Sequence, residues 1–275
     1  MVERTELMRE RIRNAARVVI KLGSNLFFNG QGTLALDRIA ALIEDLAAAR
    51  EAGRQILVVS SGAVALGANA LHQKVSDVLV KKQAFAAVGQ SRLMNLYEQG
   101  FARHGLIAAQ VLLTAEDFSN PTRFRNLENT LMALLDLEVV PVINENDTVA
   151  TEELETSNRN ASFSDNDQLS ALVMSRLGAD LLILLTDVDG LLTGSPTDDP
   201  AVSLIPEVHH ITTDIESLAG NKSTRGRGGM ATKIRAAGVA MESGGMAIIA
   251  NGTTPGIIRR ILNGEPEGTL FVARL

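Results

Sequence analysis

The 275-residue sequence contains no cysteine, and this absence excludes several classes of site. Without thiols the chain has no disulfide framework, no thiolate metal site and no cysteine nucleophile. Only four histidines are present, which together with the missing cysteines disfavours a zinc centre. The sequence also lacks a G-x-S-x-G motif, so a hydrolytic serine is disfavoured.

Aromatic residues and positive charges are scarce as well. The chain has eight Phe, one Tyr and no Trp, whereas sites for single-stranded nucleic acid depend on aromatic stacking. Its net charge is -6, and nucleic-acid binders usually carry a basic excess. No apolar run approaches the ~20 residues of a membrane span, and residues 1–17 lack the apolar stretch of a secretory signal. We therefore expect a soluble, cytoplasmic protein that binds neither nucleic acid nor membranes.

Apolar strand patterns alternate with helical patterns along the chain. Such alternation predicts an α/β fold, a mainly parallel sheet with helices on both faces, in one domain over residues 1–275. The expected strands are 18–22, 55–59, 106–113, 139–143, 181–185, 246–250 and 268–273. The expected helices are 36–51, 64–71, 80–103, 116–135, 169–177, 231–242 and 257–262.

Small and polar residues follow the predicted strands. In a parallel α/β sheet the carboxyl ends of the strands form one edge, where ligands bind. The segments that follow the strands are 21–25, 60–63, 144–147, 186–190 and 251–253. Their convergence at one edge predicts a binding site there.

Two of these segments suit an anion. Lys21 ends an apolar strand before Gly23, where it either supplies a charge to a phosphate or extends to solvent from the strand end. Ser60–Ala63 either seats an anion at a helix N-terminus or provides an ordinary helix cap.

Two polar clusters and a basic segment stand out in the second half of the chain. The clusters 144–147 and 164–167 exceed what helix capping needs, so they could hold a substrate amine, orient lysines or contact a metal. Residues 222–235 combine five basic residues with three glycines, which suits a phosphate chain or a basic surface loop. The chain has neither a P-loop motif nor the H-R-D catalytic loop of protein kinases.

Taken together, these motifs resemble the amino acid kinase family. The resemblance covers roughly residues 17 to 273 and rests on segments 21–24, 59–65, 86–91, 122–126, 141–147, 164–167, 185–191 and 228–233. Within the family, the match is to members that phosphorylate the γ-carboxylate of L-glutamate. It implies a three-layer αβα sandwich, with a glutamate-binding part over roughly 1–165 and a nucleotide-binding part over roughly 166–275.

The resemblance also implies an activity and its ligands. ATP would phosphorylate L-glutamate to L-glutamyl 5-phosphate, the first step of proline biosynthesis. Mg²⁺ would be held mainly through the ATP phosphates, with no metal site of protein side chains. Feedback inhibition by proline and a homo-oligomer, a dimer or tetramer, are further expectations.

The family's functional residues carry over to matching positions in this sequence. The catalytic residues would be Lys21, Lys233 and Asp167, with Asp167 holding the two lysines in position. The residues that bind glutamate would be Ser61, Gly62, Ala63, Asp147 and Asn166. The residues that bind ATP would be Lys21, Gly23, Ser24, Thr186, Asp187, Arg227, Gly228, Gly229, Met230, Ala231, Thr232 and Lys233.

Two departures from the family pattern leave alternatives open. Many members carry a C-terminal PUA domain, and we expect this chain, which ends at Leu275, to be the kinase domain without it. Arg227 stands where the family commonly has threonine, so it either replaces a phosphate contact or points outward. The alternative functions are a family member acting on another substrate and a non-catalytic amino-acid or nucleotide sensor.

Overall fold

An eight-stranded sheet forms the centre of the computed structural model, which describes residues 2–149, 166–194, 201–219 and 229–273. The strands lie in the order β3-β4-β2-β1-β5-β7-β8-β6. All neighbouring pairs are parallel except β7 and β8, so the expected mainly parallel sheet is confirmed. The strands are β1 (Arg17–Leu22), β2 (Gln55–Ser60), β3 (Ala108–Leu113), β4 (Val140–Glu145), β5 (Leu181–Thr186), β6 (Glu207–Val208), β7 (Met246–Asn251) and β8 (Thr269–Phe271).

Helices cover both faces of this sheet, which confirms the three-layer αβα sandwich. Alternate side chains of β1 point to opposite faces, so Ile20 packs in one buried cluster and Val19 in another. The first cluster includes side chains of α1, α2, α3, α4 and α10, and the second includes side chains of α6, α7 and α9. The helices are α1 (Val2–Arg13), α2 (Leu36–Glu51), α3 (Ala63–Ala70), α4 (Leu79–Ala102), α5 (Ala115–Ser119), α6 (Pro121–Asp136), α7 (Asn166–Leu177), α8 (Thr213–Ser217), α9 (Met230–Glu242) and α10 (Ile257–Leu262). Over the described ranges, none of them is long and apolar enough to cross a membrane.

One predicted helix, 116–135, is wrong as a continuous element. It is two helices, α5 and α6, because Asn120 caps the second one by accepting from the backbone N–H groups of Thr122 and Arg123. Pro121 occupies the first position of α6, where its missing N–H costs nothing. Three further elements were not predicted: α1, β6 and α8.

The central strand β1 brings together the polar segments that follow the strands. Lys21 pairs in register with Val59 of β2 on one side and with Leu184 of β5 on the other. Strands β2 and β5 therefore lie on opposite sides of β1, so the strand order changes direction there. Ligands bind in the crevice at such a switch point. The parallel strands β1, β2, β4, β5 and β7 all end at this edge.

Candidate active site

A buried carboxylate lies between two buried ammonium groups at the carboxyl edge of the sheet. Asp167 is fully buried, with Oδ1 2.7 Å from Lys21 Nζ and Oδ2 3.0 Å from Lys233 Nζ. The hydroxyl of Thr232 donates to the same Oδ2 at 2.7 Å. The structure thus brings together the three side chains that the sequence predicted as catalytic.

Each of these side chains is placed by a different element. Lys21 lies on β1 one residue after Ile20, so its side chain points to the sheet face that α7 and α9 cover. Asp167 is the second residue of α7, and Lys233 lies in the first turns of α9. The group forms only when the strand and both helices pack together.

Electrostatics favour the charged form of Asp167. Burial raises the pKa of this carboxyl, but the ammonium groups of Lys21 and Lys233 more than offset that effect and hold the pKa below its usual value. Two ammonium groups and one carboxylate leave the three-residue group with a net positive charge. Such a buried positive group is suited to bind the oxygens of a phosphoryl anion.

The turn after β1 brings backbone close to Lys21. The N–H of Gly23 donates to the carbonyl of Leu185 at 3.2 Å, which ties β1 to the end of β5. A Cβ at position 23 would lie 3.2 Å from that carbonyl oxygen and 3.9 Å from Lys21 Nζ. Glycine therefore keeps the space next to the ammonium group open, while the following Ser24 is exposed and begins a single 3-10 turn.

The predicted acceptor residues lie on the β2 and β4 side of the lysines. Gly62 adopts a left-handed conformation with φ of 111°, which turns the chain from β2 into α3. Ala63 is buried in the first turn of α3, where backbone N–H groups have no partner within the helix. The side-chain amide of Asn166 donates to Ser61 Oγ at 2.9 Å, so α7 contacts this turn directly. Asp147 is half-buried in the segment after β4.

The predicted nucleotide residues lie on the other side, after β5 and at the start of α9. Thr186 is half-buried and Asp187 is exposed, with Asp187 Oδ2 accepting from Asn25 Nδ2 at 2.9 Å. Gly229 caps α9, and the carbonyl of Gly229 lies 2.8 Å from the hydroxyl of Thr232. Met230 and Ala231 are half-buried in the first turn of that helix. Arg227 and Gly228 lie outside the described residues.

Several polar contacts around the site are not predictable from the sequence pattern. Asn144 Nδ2 donates to Gln90 Oε1 at 2.9 Å, and Asn251 Nδ2 donates to Asp189 Oδ1 at 2.8 Å. Gln90 belongs to segment 86–91, which carried part of the family resemblance but had no role assigned. Thr232 was predicted to bind ATP, and the structure shows its hydroxyl on Asp167.

Within the described residues, no group of three acidic or histidine side chains is arranged to hold a metal ion. Mg²⁺ usually keeps several waters and is bound by one or two carboxylates together with substrate phosphates. The lysine-rich centre fits phosphate oxygens, so the donor set is compatible with a metal that enters on the nucleotide.

Comparison with known proteins identifies relatives along almost the whole chain. A model of the amino acid kinase family matches residues 16–251. A glutamate 5-kinase of Trichlorobacter lovleyi is 46% identical over 95% of this chain and 68% of that protein. A glutamate 5-kinase of Listeria monocytogenes is 42% identical over 97% of this chain and 96% of that protein.

Solved structures share the same fold. An isopentenyl phosphate kinase superposes with a TM-score of 0.63 at 18% identity, over 93% of this chain and 100% of that one. A UMP kinase from Bacillus anthracis also has a TM-score of 0.63, at 15% identity over 95% of this chain and 97% of that one. At such identity these two structures support the fold alone.

Proposed function

This chain belongs to the amino acid kinase family, and on that basis we propose that it transfers the γ-phosphoryl group of ATP to the γ-carboxylate of L-glutamate. The product would be L-glutamyl 5-phosphate, formed at the first step of proline biosynthesis in the cytoplasm, where ATP and glutamate are supplied. The observation that carries phosphoryl transfer is the buried group of Lys21, Asp167 and Lys233. Glutamate is favoured as the acceptor because relatives that are 41–46% identical bear the name glutamate 5-kinase.

The reaction needs positioning and charge stabilisation more than acid–base chemistry. The γ-carboxylate of glutamate has a reference pKa of about 4.3, so it is already ionised at neutral pH. One of its oxygens attacks the γ-phosphorus, and the bond from that phosphorus to the bridging oxygen breaks as ADP leaves with the electron pair. No proton is transferred, so no general base is required.

The two lysines supply the charge that this step demands. Lys21 Nζ and Lys233 Nζ lie on opposite oxygens of Asp167, so the carboxylate sets their separation and direction. We propose that both ammonium groups contact the transferred phosphoryl group and stabilise its oxygens as the old bond breaks. Asp167 acts as their positioning residue.

Acceptor and nucleotide would approach this centre from opposite sides. We propose that Ser61, Gly62, Ala63, Asp147 and Asn166 bind glutamate, in a domain whose first 165 residues carry most of the acceptor site. Residues 166–275 carry the nucleotide site, in which Gly23 and Ser24 also take part. The ATP residues there would be Thr186, Asp187, Gly229, Met230, Ala231, Thr232 and Lys233, with Arg227 and Gly228 as further candidates, and Mg²⁺ would be held mainly by the ATP phosphates.

An acceptor panel tests the proposal directly. ADP release is measured with L-glutamate, L-aspartate, N-acetyl-L-glutamate, carbamate, UMP and isopentenyl phosphate, each at matched concentration. With L-glutamate, hydroxylamine should trap the acyl phosphate as a hydroxamate. A preference for any other acceptor would refute glutamate as the substrate. Absence of ADP release with all of them, despite nucleotide binding, would favour a sensor instead.

Proline and self-association extend the same proposal. We propose that proline inhibits by competing with glutamate and that the chain forms a dimer or tetramer, as the family resemblance implies. Inhibition by proline should weaken as glutamate concentration rises. Light scattering coupled to size-exclusion chromatography would measure the oligomeric mass, and a monomer would contradict this part.

A further inference from the structure

Amide side chains form a continuous row from α4 to the acceptor side of the site. Asn144 Nδ2, at the end of β4, donates to Gln90 Oε1 on α4 at 2.9 Å. Asn166 Nδ2 donates to Asn144 Oδ1 and to Ser61 Oγ, both at 2.9 Å. Gln90 is 9% exposed and Asn144 is 1% exposed, whereas Asn166 is half-buried, so the row leads from the interior towards the site.

A backbone N–H identifies which atom of each amide in the row is the oxygen and which is the nitrogen. The N–H of Glu145 can only donate, and it donates to Asn144 Oδ1 at 2.9 Å. The oxygen of Asn144 is thereby identified, so its Nδ2 must be the atom that faces Gln90. Gln90 in turn must present Oε1 to Asn144, because two NH₂ groups cannot hydrogen-bond to each other.

The row ends in one unpaired acceptor and one unpaired donor. Asn166 Oδ1 and Gln90 Nε2 are both buried, and neither has a hydrogen-bond partner in the described structure. Buried polar groups without hydrogen-bond partners are rare in folded proteins, so each one needs a physical explanation, such as a part in binding or catalysis. Asn166 contacts the Ser61 turn, so its oxygen lies next to the proposed acceptor site.

Close backbone contacts with α3 fix the position of α4 next to this row. A Cβ at Gly89 would lie 1.8 Å from the carbonyl oxygen of Ala63, and one at Gly67 would lie 1.8 Å from that of Phe85. Helices α3 and α4 therefore touch through their backbones, directly before Gln90 in sequence. This contact leaves little freedom to change the distance between Gln90 and Asn144.

We propose that Gln90 is a positioning residue that makes the enzyme select acceptors with an α-ammonium group. By accepting from Asn144 Nδ2, it holds Asn144 and through it Asn166 in the orientation that offers Asn166 Oδ1 to the substrate. An oxygen at that point attracts an ammonium group, whereas a rotated amide would present N–H groups and repel it. The inference deepens the proposed function and depends on it.

Removing the acceptor at position 90 should loosen this orientation. Asn144 Nδ2 would become another buried donor without a partner, and satisfying it by rotation would give up the bonds from Glu145 and Asn166 to Asn144 Oδ1. Loss of binding should therefore depend on the ammonium group of the ligand. If Gln90 had a purely structural role, replacing it would weaken the binding of all ligands alike.

Three ligands separate these outcomes. L-glutamate carries both α-groups, glutarate lacks the ammonium group, and 4-aminobutyrate keeps the ammonium group but lacks the α-carboxylate. KM is measured for glutamate and ATP, and the inhibition constants of the other two are measured against glutamate. Gln90→Met should raise the KM for glutamate and the inhibition constant of 4-aminobutyrate at least fivefold. The same substitution should leave the inhibition constant of glutarate and the KM for ATP within twofold of their wild-type values.

Matched variants complete the experiment. Gln90→Glu keeps an oxygen acceptor facing Asn144 and should restore the preference for glutamate over glutarate. Gln90→Ala removes the acceptor without filling the space, so it serves if Gln90→Met does not fold. Gln99→Met changes an exposed glutamine on the same helix and should behave like wild type.

Equal weakening of all three ligands, or an unchanged preference for glutamate over glutarate in Gln90→Met and Gln90→Ala, would overturn the inference. A Gln90→Glu variant that loses the preference would overturn it too. These outcomes differ from failure of the proposed function, which would show as a wild-type enzyme that does not phosphorylate glutamate.

Discussion

At the scale of single residues, Asp167 explains why two lysines can be buried side by side. Lys21 and Lys233 are each only 4% exposed, and an isolated ammonium group in such a place would lose its proton or destabilise the fold. The carboxylate between them stabilises both charges at distances of 2.7 and 3.0 Å. The same three side chains therefore hold the fold together locally and prepare the site for a phosphoryl group.

Lys233 should matter far more for turnover than for folding. In Lys233→Ala, Asp167 keeps Lys21 and Thr232 as partners, so the fold should survive. Loss of one ammonium group from the reacting centre should lower kcat about 10²–10³-fold. The measurement is steady-state ADP release, with circular dichroism to verify folding. Arg235→Ala, two residues along α9 and exposed, is the control, and full activity of Lys233→Ala would contradict the assigned role.

Asp167→Asn should destabilise the protein in a pH-dependent way. Removing the charge leaves two buried ammonium groups without their carboxylate, which should cost about 3–5 kcal/mol at neutral pH. The lysines hold the folded-state pKa of Asp167 below its usual value of 3.8, so the charged form stabilises the fold above that pH. This contribution is lost as the pH falls through the folded-state pKa.

Urea unfolding of wild type and Asp167→Asn at several pH values measures this effect. The difference between their unfolding free energies should shrink from about pH 5 towards pH 2. The exposed Asp77, replaced by Asn, is the control and should change stability by less than about 0.5 kcal/mol. A difference that stays constant over the whole range would show that the charge of Asp167 is not what stabilises the fold.

At the scale of elements, the α3–α4 pair connects packing to the acceptor site. Helix α3 begins directly after Ser61 and Gly62, and α4 carries Gln90 and Tyr97 on the side that faces the ends of β2 and β4. Burial raises the pKa of Tyr97 above its usual range, so the phenol stays protonated and donates to Ser60 Oγ at 2.8 Å. Helix α4 thus contacts the polar ends of both strands.

Gly89→Ala should separate α3 from α4 and disturb glutamate binding. The new methyl group would meet the backbone oxygen of Ala63, which cannot rotate away, so the helices must move apart. We expect a loss of about 1–3 kcal/mol in unfolding free energy. The KM for glutamate should rise several-fold, with the KM for ATP nearly unchanged.

Gly238→Ala on α9 provides the helical control for that variant. A Cβ there would lie 3.1 Å from the tip of the Ile211 side chain, which can adjust, and alanine favours a helix by up to about 1 kcal/mol over glycine. Unfolding midpoints and both KM values are compared. If Gly89→Ala bound glutamate normally, the α3–α4 contact would have no part in placing the acceptor.

At the scale of the whole molecule, the two ends of the parallel strands differ in function. The carboxyl edge carries the polar site, while α1 packs near the other edge, where Arg11 donates to the carbonyl of Gly244 just before β7. Met8 and Ile12 of α1 are 0% and 3% exposed within the first buried cluster. The described side chains of α1 thus contribute buried apolar surface at this end of the strands.

Met8→Ala should therefore reduce stability without changing the chemistry. Truncating a fully buried methionine leaves a cavity and should lower the unfolding free energy by about 2–5 kcal/mol. The KM values for glutamate and ATP, measured well below the unfolding temperature, should stay within twofold of wild type. The exposed Leu7, replaced by Ala, should change neither quantity. A marked rise in either KM for Met8→Ala would show that the two edges are coupled.

Secondary-structure elements with a strong local sequence pattern were predictable, and elements with a weak pattern were not. The strands with continuous apolar runs and the helices with regular apolar spacing were found because each pattern spans a whole element. The two-residue β6 and five-residue α8 are too short to carry such a pattern, and α1 presents few apolar positions among its charges. The break at Asn120 and Pro121 was overlooked although both residues carry a helix-start signal.

The sequence by itself determined the parallel α/β architecture and the edge at which the site lies, because side-chain periodicity and strand direction are local properties. It also marked Lys21, Asp167 and Lys233 as candidates. The family resemblance implied that Asp167 holds the two lysines, but only the tertiary structure shows the contacts of 2.7 and 3.0 Å, because the three residues lie on a strand and two helices distant in sequence. The same is true of Gln90, because only the folded chain shows that it accepts from Asn144 Nδ2 while the backbone N–H of Glu145 donates to Asn144 Oδ1.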